Sequence, residues 1–213
     1  MKVELISYTK DAEAICGEAA AICTNSKNIQ RALAHATTAG HTSVLEHAVY
    51  TFRVEGISRA SLAQLTRHRL ASYDVQSQRY VRIGEETELV IPKTIEESTY
   101  GDIVRSTMRY LISLYQRLID EGIPCEDARY VTPQAVTTEL IVSMNARELL
   151  HFFSLRCCNR AQWEIRELAD RMLRLCRRTA PEIFRKAGPG CVADRCPEAK
   201  PCGHPRRAEE WDD

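Results

Sequence analysis

The sequence lacks the patterns that most directly indicate a membrane protein or a common nucleotide-binding fold. No apolar run approaches the roughly 20 residues that a membrane-spanning helix needs, and positions 1–7 read as a strand start rather than as a signal peptide. Neither the GxGxxG fingerprint nor the GxxxxGK(S/T) loop occurs. We therefore expect a cytoplasmic protein without membrane contact, and a nucleotide cofactor would not be held by a Rossmann turn.

The chain also lacks an excess of either charge and is poor in lysine. It carries 29 basic and 29 acidic residues, so the formal net charge is zero. Nucleic-acid-binding proteins usually have a basic excess, so this balance argues against nucleic acid as a partner. Only six of the basic residues are Lys, and 23 are Arg. A GC-rich genome would explain the number of Arg, but it does not explain their placement.

Cysteine, in contrast, is abundant. Without a signal peptide, the nine Cys indicate free thiols in a reducing compartment rather than a disulfide framework. Residue types that suit zinc fall near the C-terminus, at Cys191, Cys196, Cys202 and His204. Their spacing is looser than the paired C-x2-C pattern, so a zinc site and unconnected thiols both stay open.

Hydrophobic periodicity predicts an α+β fold. Strand patterns occur at 1–7, 48–56, 88–91 and 137–143. Helix patterns occur at 11–23, 28–39, 59–67, 102–121, 146–156 and 160–178, and the residues that can cap them include Ser26, Ser58 and Asn145. A chain of 213 residues suits one sizeable core. We expect a single domain with one central, mostly antiparallel sheet flanked by several helices, followed by a Cys- and Pro-rich tail at 189–213.

The stretch RHRLASYDVQSQRY at 67–80 concentrates cationic and hydroxyl side chains, and we predict that it is a loop. Arg67 and Arg69 flank His68 and could contact two partners, with His68 between them. Ser77 and Arg79 share one side, so a hydroxyl and a guanidinium can hold the same phosphate. A solvated charged loop would explain RHR alone, but it explains the whole cluster less well.

Further Arg residues occur in otherwise apolar surroundings, at Arg129, Arg147, Arg156 and Arg160. A buried Arg needs a partner, so these residues indicate either an anionic ligand or internal ion pairs with nearby Glu. His41 and His47 bracket the segment GHTSVLEH. Their spacing does not place both on one helical face as H-E-x-x-H does, so a polar turn that supports a ligand fits better than a zinc site.

Several of these motifs together resemble the flavin-dependent thymidylate synthases. Arg67-His68-Arg69 followed by seven residues and Ser77 is similar to the signature of that family. The segments GHTSVLEH, DARYVTP, MNAR and LRCCNRAQWEIR match further family segments in the same order. The resemblance covers roughly residues 1–188, which we expect to form the catalytic domain.

The resemblance implies an activity, cofactors and an assembly. Such enzymes methylate dUMP to dTMP, with methylenetetrahydrofolate as the carbon donor, NADPH as the reductant and FAD as the mediator. They need no cysteine attack on uracil. Family members are homotetramers whose active sites are shared between subunits, so we expect the same here.

The resemblance also implies roles for individual residues. Arg156 would stabilise negative charge on the uracil, and His41 would lie near flavin and folate. The residues implied to hold FAD are Ser43, Arg67, His68, Arg69, Asn145, Arg147 and His151. The residues implied to hold dUMP are Gln64, Val75, Ser77, Gln78, Arg79, Arg129 and Arg156.

The chain departs from the family pattern at three positions. Val75 stands where Glu is frequent, Gln78 stands where Gly is frequent, and His151 stands where Asn is common. A contact made by the Glu side chain must therefore be lost or replaced by backbone. Two alternatives are a zinc-containing nucleic-acid-binding protein and a flavoenzyme of the same fold that acts on another nucleotide.

Overall fold

The computed structural model describes residues 1–212, and its strands form one antiparallel sheet in the order β1-β2-β4-β3. The strands are β1 (Lys2–Tyr8), β2 (Val49–Ser58), β3 (Ala71–Val75) and β4 (Thr137–Asn145). The helices are α1 (Ala12–Thr24), α2 (Ile29–Ala39), α3 (Arg59–Leu65), α4 (Lys93–Glu96), α5 (Gly101–Asp120), α6 (Cys125–Ala128), α7 (Ala146–Arg156), α8 (Trp163–Thr179) and α9 (Pro181–Phe184). Short 3₁₀ helices cover Thr42–His47, Arg129–Val131, Gly190–Ala193 and Ala208–Trp211. The expected α+β domain with one mostly antiparallel sheet flanked by helices is confirmed.

Residue contacts divide the chain into two compact units. The first, which we call the α5 unit, comprises Met1–Lys2, Val54–Thr66 and Asp74–Leu140. The second, the α7 unit, comprises Val3–Arg53, Arg67–Tyr73 and the chain from Ile141 onward. The predicted boundary between a catalytic domain and a tail at residue 188 stays a prediction, and Asp213 lies outside the described residues.

The α5 unit has a core that follows from the periodicity of α5. Ile112 and Tyr115 lie on one face of this helix and pack with Ile83, Ala128 and Val136. The Tyr115 hydroxyl accepts a hydrogen bond from the Ile83 backbone N–H at 3.4 Å. The phenol therefore has a polar partner inside an apolar cluster, as a buried Tyr requires.

The core of the α7 unit joins strand, helix and aromatic side chains. Tyr50 and Phe52 alternate along β2 with more exposed residues and are fully buried. Tyr50 meets Phe184 edge to face at 5.4 Å between ring centroids, and Phe153 of α7 meets the same ring at 6.1 Å. Helix α8 buries Ile165, Leu168, Ala169, Met172, Leu173 and Cys176. This packing holds α7, which carries several of the predicted site residues.

Three details differ from the sequence-based predictions. The stretch 67–80 is not a loop throughout, because Ala71–Val75 pairs as β3. The predicted strand 88–91 contributes a single bridge between Leu89 and Val136 within the described residues. Helix α2 is capped by Asn28, not Ser26, because the Asn28 side chain accepts the Arg31 N–H at 2.8 Å. Local propensity did not distinguish these cases, because pairing partners and cap geometry depend on the folded backbone.

The other cap predictions are confirmed. The Ser58 hydroxyl accepts the Ser61 N–H at 3.0 Å at the start of α3. The Asn145 side chain accepts the Glu148 N–H at 2.9 Å at the start of α7. In the part of the chain that the structure covers, no helix is both long and apolar enough to cross a membrane.

Replacing the α2 cap should destabilise the protein. Asn28→Ala removes the acceptor for the Arg31 N–H, so the free energy of unfolding should fall by about 1 kcal/mol. Chemical denaturation measures the change, and Asn28→Ser, which keeps a capping oxygen, serves as the control. Ser26→Ala should change stability by less than about 0.5 kcal/mol. A larger loss for Ser26→Ala than for Asn28→Ala would contradict this assignment of the cap.

Candidate functional site

The motif Arg67-His68-Arg69 lies between α3 and β3, and its three side chains differ in burial. Arg67 and Arg69 are exposed, whereas His68 is only 4% exposed. The His68 ring packs edge to face against Phe152 of α7 at 4.9 Å between ring centroids. The histidine therefore anchors the motif to α7, and the two arginines remain available to a ligand.

His68 bridges a carboxylate and a guanidinium. Its Nδ1 lies 3.1 Å from Glu148 Oε1, and its Nε2 accepts a hydrogen bond from Arg156 Nε at 3.1 Å. Because Nε2 accepts, the proton of the neutral imidazole must lie on Nδ1, which donates to Glu148. The tautomer of His68 is therefore set by the Arg156 hydrogen bond at one end and by Glu148 at the other.

Burial favours this neutral form of His68. Desolvation lowers the pKa of His68, and the nearby Arg156 charge lowers it further, although Glu148 opposes them. The net shift is downward from the ordinary 6.5. The imidazole therefore stays uncharged at neutral pH and holds Arg156 without repelling it.

One cleft that contains predicted residues lies in the α7 unit. This cleft, which we call the Arg–His cleft, has a volume of about 650 Å³. Its walls are formed by Arg67, His68, Arg69, Leu70, Arg147, Glu148, His151, Leu155 and Arg156. Burial lowers the pKa of Arg156, and the neighbouring Arg67 lowers it further, but an Arg remains charged in proteins. Such a concentration of guanidinium groups favours an anionic ligand.

A second cleft, the Arg59–Arg129 cleft, lies in the α5 unit and has a volume of about 460 Å³. Gln78, Arg59, Arg129 and Tyr130 are among its walls. The half-buried Arg59 donates from Nη2 to the Gln76 carbonyl at 3.0 Å. Burial lowers the pKa of Arg59, and the charge of Arg129 lowers it further. Two cations facing one cleft again favour an anion.

Other predicted residues lie outside the walls of these two clefts. Val75 ends β3, and Gln64 is half-buried in α3. The Ser77 hydroxyl accepts the Arg79 N–H at 3.2 Å, and Arg79 Nε pairs with Glu126 at 2.6 Å. Since that ion pair is exposed, a stronger anion can replace the carboxylate.

The remaining predicted residues have separate surroundings. His41 and Ser43 are exposed at the 3₁₀ helix Thr42–His47, and the His41 ring lies 6.4 Å from the His35 ring. Glu46 of the same segment pairs with Arg147 of the Arg–His cleft. Asn145 uses its side-chain oxygen to cap α7, so at least its amide nitrogen is left for a ligand.

Two residues with evident roles were not assigned to the site from sequence. Glu148 is one of the nearby Glu that were considered only as ion-pair partners of Arg, yet it orients His68 while remaining 5% exposed. Arg59 follows the α3 cap Ser58 and was interpreted as part of a helix. Its signal was a charged residue directly after an apolar strand, which is weak by itself.

The predicted zinc ligands do not form a metal-binding group. Within residues 1–212, no cluster of three or more His, Cys, Asp or Glu side chains is arranged to hold a metal ion. The thiols of Cys191, Cys196 and Cys202 are free. The hypothesis of a zinc site therefore has no support from the arrangement of these side chains.

Comparison with known proteins identifies the family. A family model described as thymidylate synthase complementing protein matches residues 4–182. The flavin-dependent thymidylate synthase of Geobacter sulfurreducens is 49% identical over 212 residues, which cover 93% of this chain and 91% of that protein. The chain belongs to the flavin-dependent thymidylate synthase family. The resemblance carried by the RHR motif and its companion segments is thereby confirmed.

Further similarity extends along most of the chain. A flavin-dependent thymidylate synthase of Clostridium tetani is 38% identical over 232 residues, covering 95% of this chain and 93% of that protein. The crystal structure of the flavin-dependent thymidylate synthase ThyX from Helicobacter pylori, complexed with FAD and dUMP, superposes with a TM-score of 0.73. That alignment has 27% identity and covers 88% of this chain and all of that chain. Membership of the family therefore rests on sequence and fold together.

The buried His68 should make the protein less stable in mild acid. Its folded-state pKa lies below 6.5, so as the pH falls below about 6.5 the unfolded chain takes up a proton that the folded chain does not. The free energy of unfolding should therefore decrease as the pH falls through this range. Denaturant unfolding at about pH 7.5 and about pH 5 measures the decrease.

The matched variants for this test are His68→Asn and His35→Asn. His68→Asn keeps a donor for Glu148 but cannot be protonated, so its stability should depend less on pH than that of the wild type. His35 is exposed, so His35→Asn should retain the pH dependence of the wild type. Equal pH dependence in the wild type and His68→Asn would show that His68 does not contribute.

Proposed function

We propose that this chain is an FAD-dependent thymidylate synthase that catalyses the reductive methylation of dUMP to dTMP, a methyltransferase reaction. Methylenetetrahydrofolate is the carbon donor, and NADPH is the reductant. The observation that carries the proposal is the pairing of Arg156 with the buried, neutral His68 in an Arg-lined cleft of a chain of this family. Bound FAD supplies the hydride for the reaction.

The Arg–His cleft is assigned to FAD. Its guanidinium groups suit the pyrophosphate, and its leucines at positions 70 and 155 offer apolar contact to a ring system. Its volume of about 650 Å³ falls within the range of cofactor sites. The residues assigned to FAD are Ser43, Arg67, His68, Arg69, Asn145, Arg147 and His151. His41 is assigned to the region where flavin and folate approach each other.

The phosphate of dUMP is assigned to Ser77, Arg79 and Arg129, with Gln64, Val75 and Gln78 as further contacts. Arg129 and Gln78 line one cleft, and the exposed Arg79 is paired only with the exposed Glu126 among the ion pairs of the described residues. A phosphate can displace that carboxylate, because exposed ion pairs contribute little. Val75 offers no polar side-chain atom, so its contact with dUMP is made by the backbone.

Arg156 is assigned the electrostatic step. When uracil becomes nucleophilic at C5, negative charge builds on its carbonyl edge, and a fixed guanidinium stabilises that charge. His68 accepts from Arg156 Nε and thereby orients the guanidinium, which lines the Arg–His cleft. A neutral His68 does not compete with Arg156 for the anion. The tautomer set by Glu148 is part of the mechanism because it leaves Nε2 as the acceptor for Arg156.

The assembly and location follow from the same family assignment. A homotetramer with active sites shared between subunits explains why assigned residues occur in many separate segments. We place the enzyme in the cytoplasm. Neither alternative has support: a zinc-dependent nucleic-acid-binding protein lacks a metal cluster in residues 1–212, and no specific observation favours another nucleotide.

Replacing Arg156 should separate chemistry from cofactor binding. Arg156→Ala should lower kcat by roughly 100-fold or more, whereas the flavin absorbance of the purified protein should stay close to that of the wild type. Steady-state dTMP formation and the visible spectrum with and without NADPH and dUMP provide the two readouts. The control is Arg171→Ala, since Arg171 is an exposed residue of α8 that pairs with Glu167 and lines neither the Arg–His cleft nor the Arg59–Arg129 cleft. Near-normal turnover of Arg156→Ala would reject the assigned role.

No cysteine should be needed for the reaction. Burial raises the pKa of Cys16 to about 11 and raises the pKa of Cys157 and Cys176 well above the ordinary value. These thiols are therefore poor nucleophiles at neutral pH. Replacing each of the nine Cys by Ala in turn should leave turnover measurable. Loss of turnover in one folded, flavin-containing variant would reject the thiol-free mechanism.

A further inference from the structure

The segment that directly follows Arg156 is held by the C-terminal part of the chain. Arg206 Nη1 donates to the Cys157 carbonyl at 3.2 Å, and Asn159 Nδ2 donates to the His204 carbonyl at 2.7 Å. Arg160 donates in the same way to the Lys200 carbonyl. The matched family model ends at residue 182. The C-terminal partners in these contacts, Lys200, His204 and Arg206, therefore lie beyond it.

Arg206 is itself held rigidly. Its side chain is only 12% exposed, and both Nη atoms donate to Asp170 Oδ2 at 3.2 Å. Its guanidinium lies over the Trp211 ring, 4.6 Å from the centroid. Trp211 is 1% exposed and donates from Nε1 to Asp170 Oδ1 at 2.9 Å. Asp170 of α8 therefore accepts hydrogen bonds from both Arg206 and Trp211, whose side chains also stack on each other.

A second contact fixes the end of the described chain. The buried Arg177 of α8 donates to the Ala208 carbonyl at 2.6 Å and pairs with Asp212. Arg177 also donates to the Arg185 carbonyl at 2.9 Å. The residues that flank Arg206 on its C-terminal side are thus attached to the same helix that supplies Asp170.

The hydrogen bond from Arg206 to the Cys157 carbonyl lies at the C-terminal end of α7. Cys157 is the C-cap residue of α7, and helix C-terminal carbonyls have no partner within the helix. Arg206 satisfies one of them, and a cation at this end also suits the helix dipole. Arg156 is therefore constrained twice, through its Nε by His68 and through the adjoining backbone by Arg206.

The same part of the chain also forms a wall next to Arg156. Ser154, Leu155 and Arg156 line a cleft of about 420 Å³. Its other walls include residues from Pro189 to Arg206. The C-terminal residues therefore share a cleft with Arg156 and also contact the backbone that follows it.

We propose that residues 189–212 are a positioning element for Arg156 and that Arg206 is its positioning residue. The proposal rests on the electrostatic role assigned to Arg156 above. Arg206 acts through the Cys157 carbonyl and holds the end of α7, so that the Arg156 guanidinium keeps the place that His68 sets. The C-terminal residues thereby contribute to turnover without contacting the substrate.

The test compares Arg206→Gln and Arg206→Lys with Arg195→Gln. Gln removes the forked cation, Lys keeps the charge but not the fork, and Arg195 is an exposed arginine of the same tail. Misplacement of a catalytic group by about 1 Å can cost up to about 100-fold. We therefore expect Arg206→Gln to lower kcat by roughly 10- to 100-fold, Arg206→Lys to lower it less, and Arg195→Gln to leave it unchanged. FAD content and the KM for dUMP should stay within about twofold of the wild type.

A double-mutant cycle separates positioning from mere stabilisation of the fold. In an Arg156→Lys background, Arg206→Gln should lower kcat by a much smaller factor, because the group that it positions has been replaced. An equal factor in both backgrounds, or a wild-type kcat in Arg206→Gln, would overturn the proposal. If Arg206→Gln does not fold, the cycle is completed with Arg206→Lys. Arg156→Ala measured alone tests the assigned role of Arg156 separately, since its normal turnover would reject that role whatever Arg206 does.

Discussion

The hydrogen-bonded series Glu148–His68–Arg156 is the interaction on which the candidate site depends. A buried imidazole that accepts from an arginine must be neutral, and its remaining N–H needs an acceptor inside the protein. Glu148 supplies that acceptor from the first turn of α7, and Arg156 comes from the last turn of the same helix. Helix α7 therefore brings together both partners of His68, and the packing of α7 on α8 determines where the site forms.

Cation placement explains the chemistry better than cation number does. The chain has no net charge, yet four arginines line the Arg–His cleft and two line the Arg59–Arg129 cleft, some of them partly buried. Burial lowers the pKa of Arg59 and Arg156 without removing their charge. Such groups are weakly solvated and attract anions strongly, which suits a phosphate, a pyrophosphate or a uracil that acquires negative charge.

The C-terminal residues lie beyond the segment that the family model matches, yet they contact the backbone next to Arg156. Trp211, Arg206 and Asp170 form a compact, largely buried cluster, although the sequence around Arg206 and Trp211 is rich in Gly, Pro and charge. Composition alone predicted a separate Cys- and Pro-rich tail, and zinc was one interpretation of its cysteines. The contacts instead join this tail to the backbone that follows Arg156, so its placement bears on the same site.

Local patterns were sufficient for the class of the fold, most helices, the caps Ser58 and Asn145, and the ordered motifs that identify the family. They were sufficient because periodicity, cap chemistry and residue spacing are properties of short segments. The pairing of Ala71–Val75 as β3, the capping of α2 by Asn28 and the bridge from His68 to Glu148 and Arg156 were not predicted. His68 and Glu148 are 80 residues apart in the chain, and no local rule specifies which buried acid meets which buried base. Only packing of the helices on the sheet decides that, because desolvation makes an unpaired partner costly.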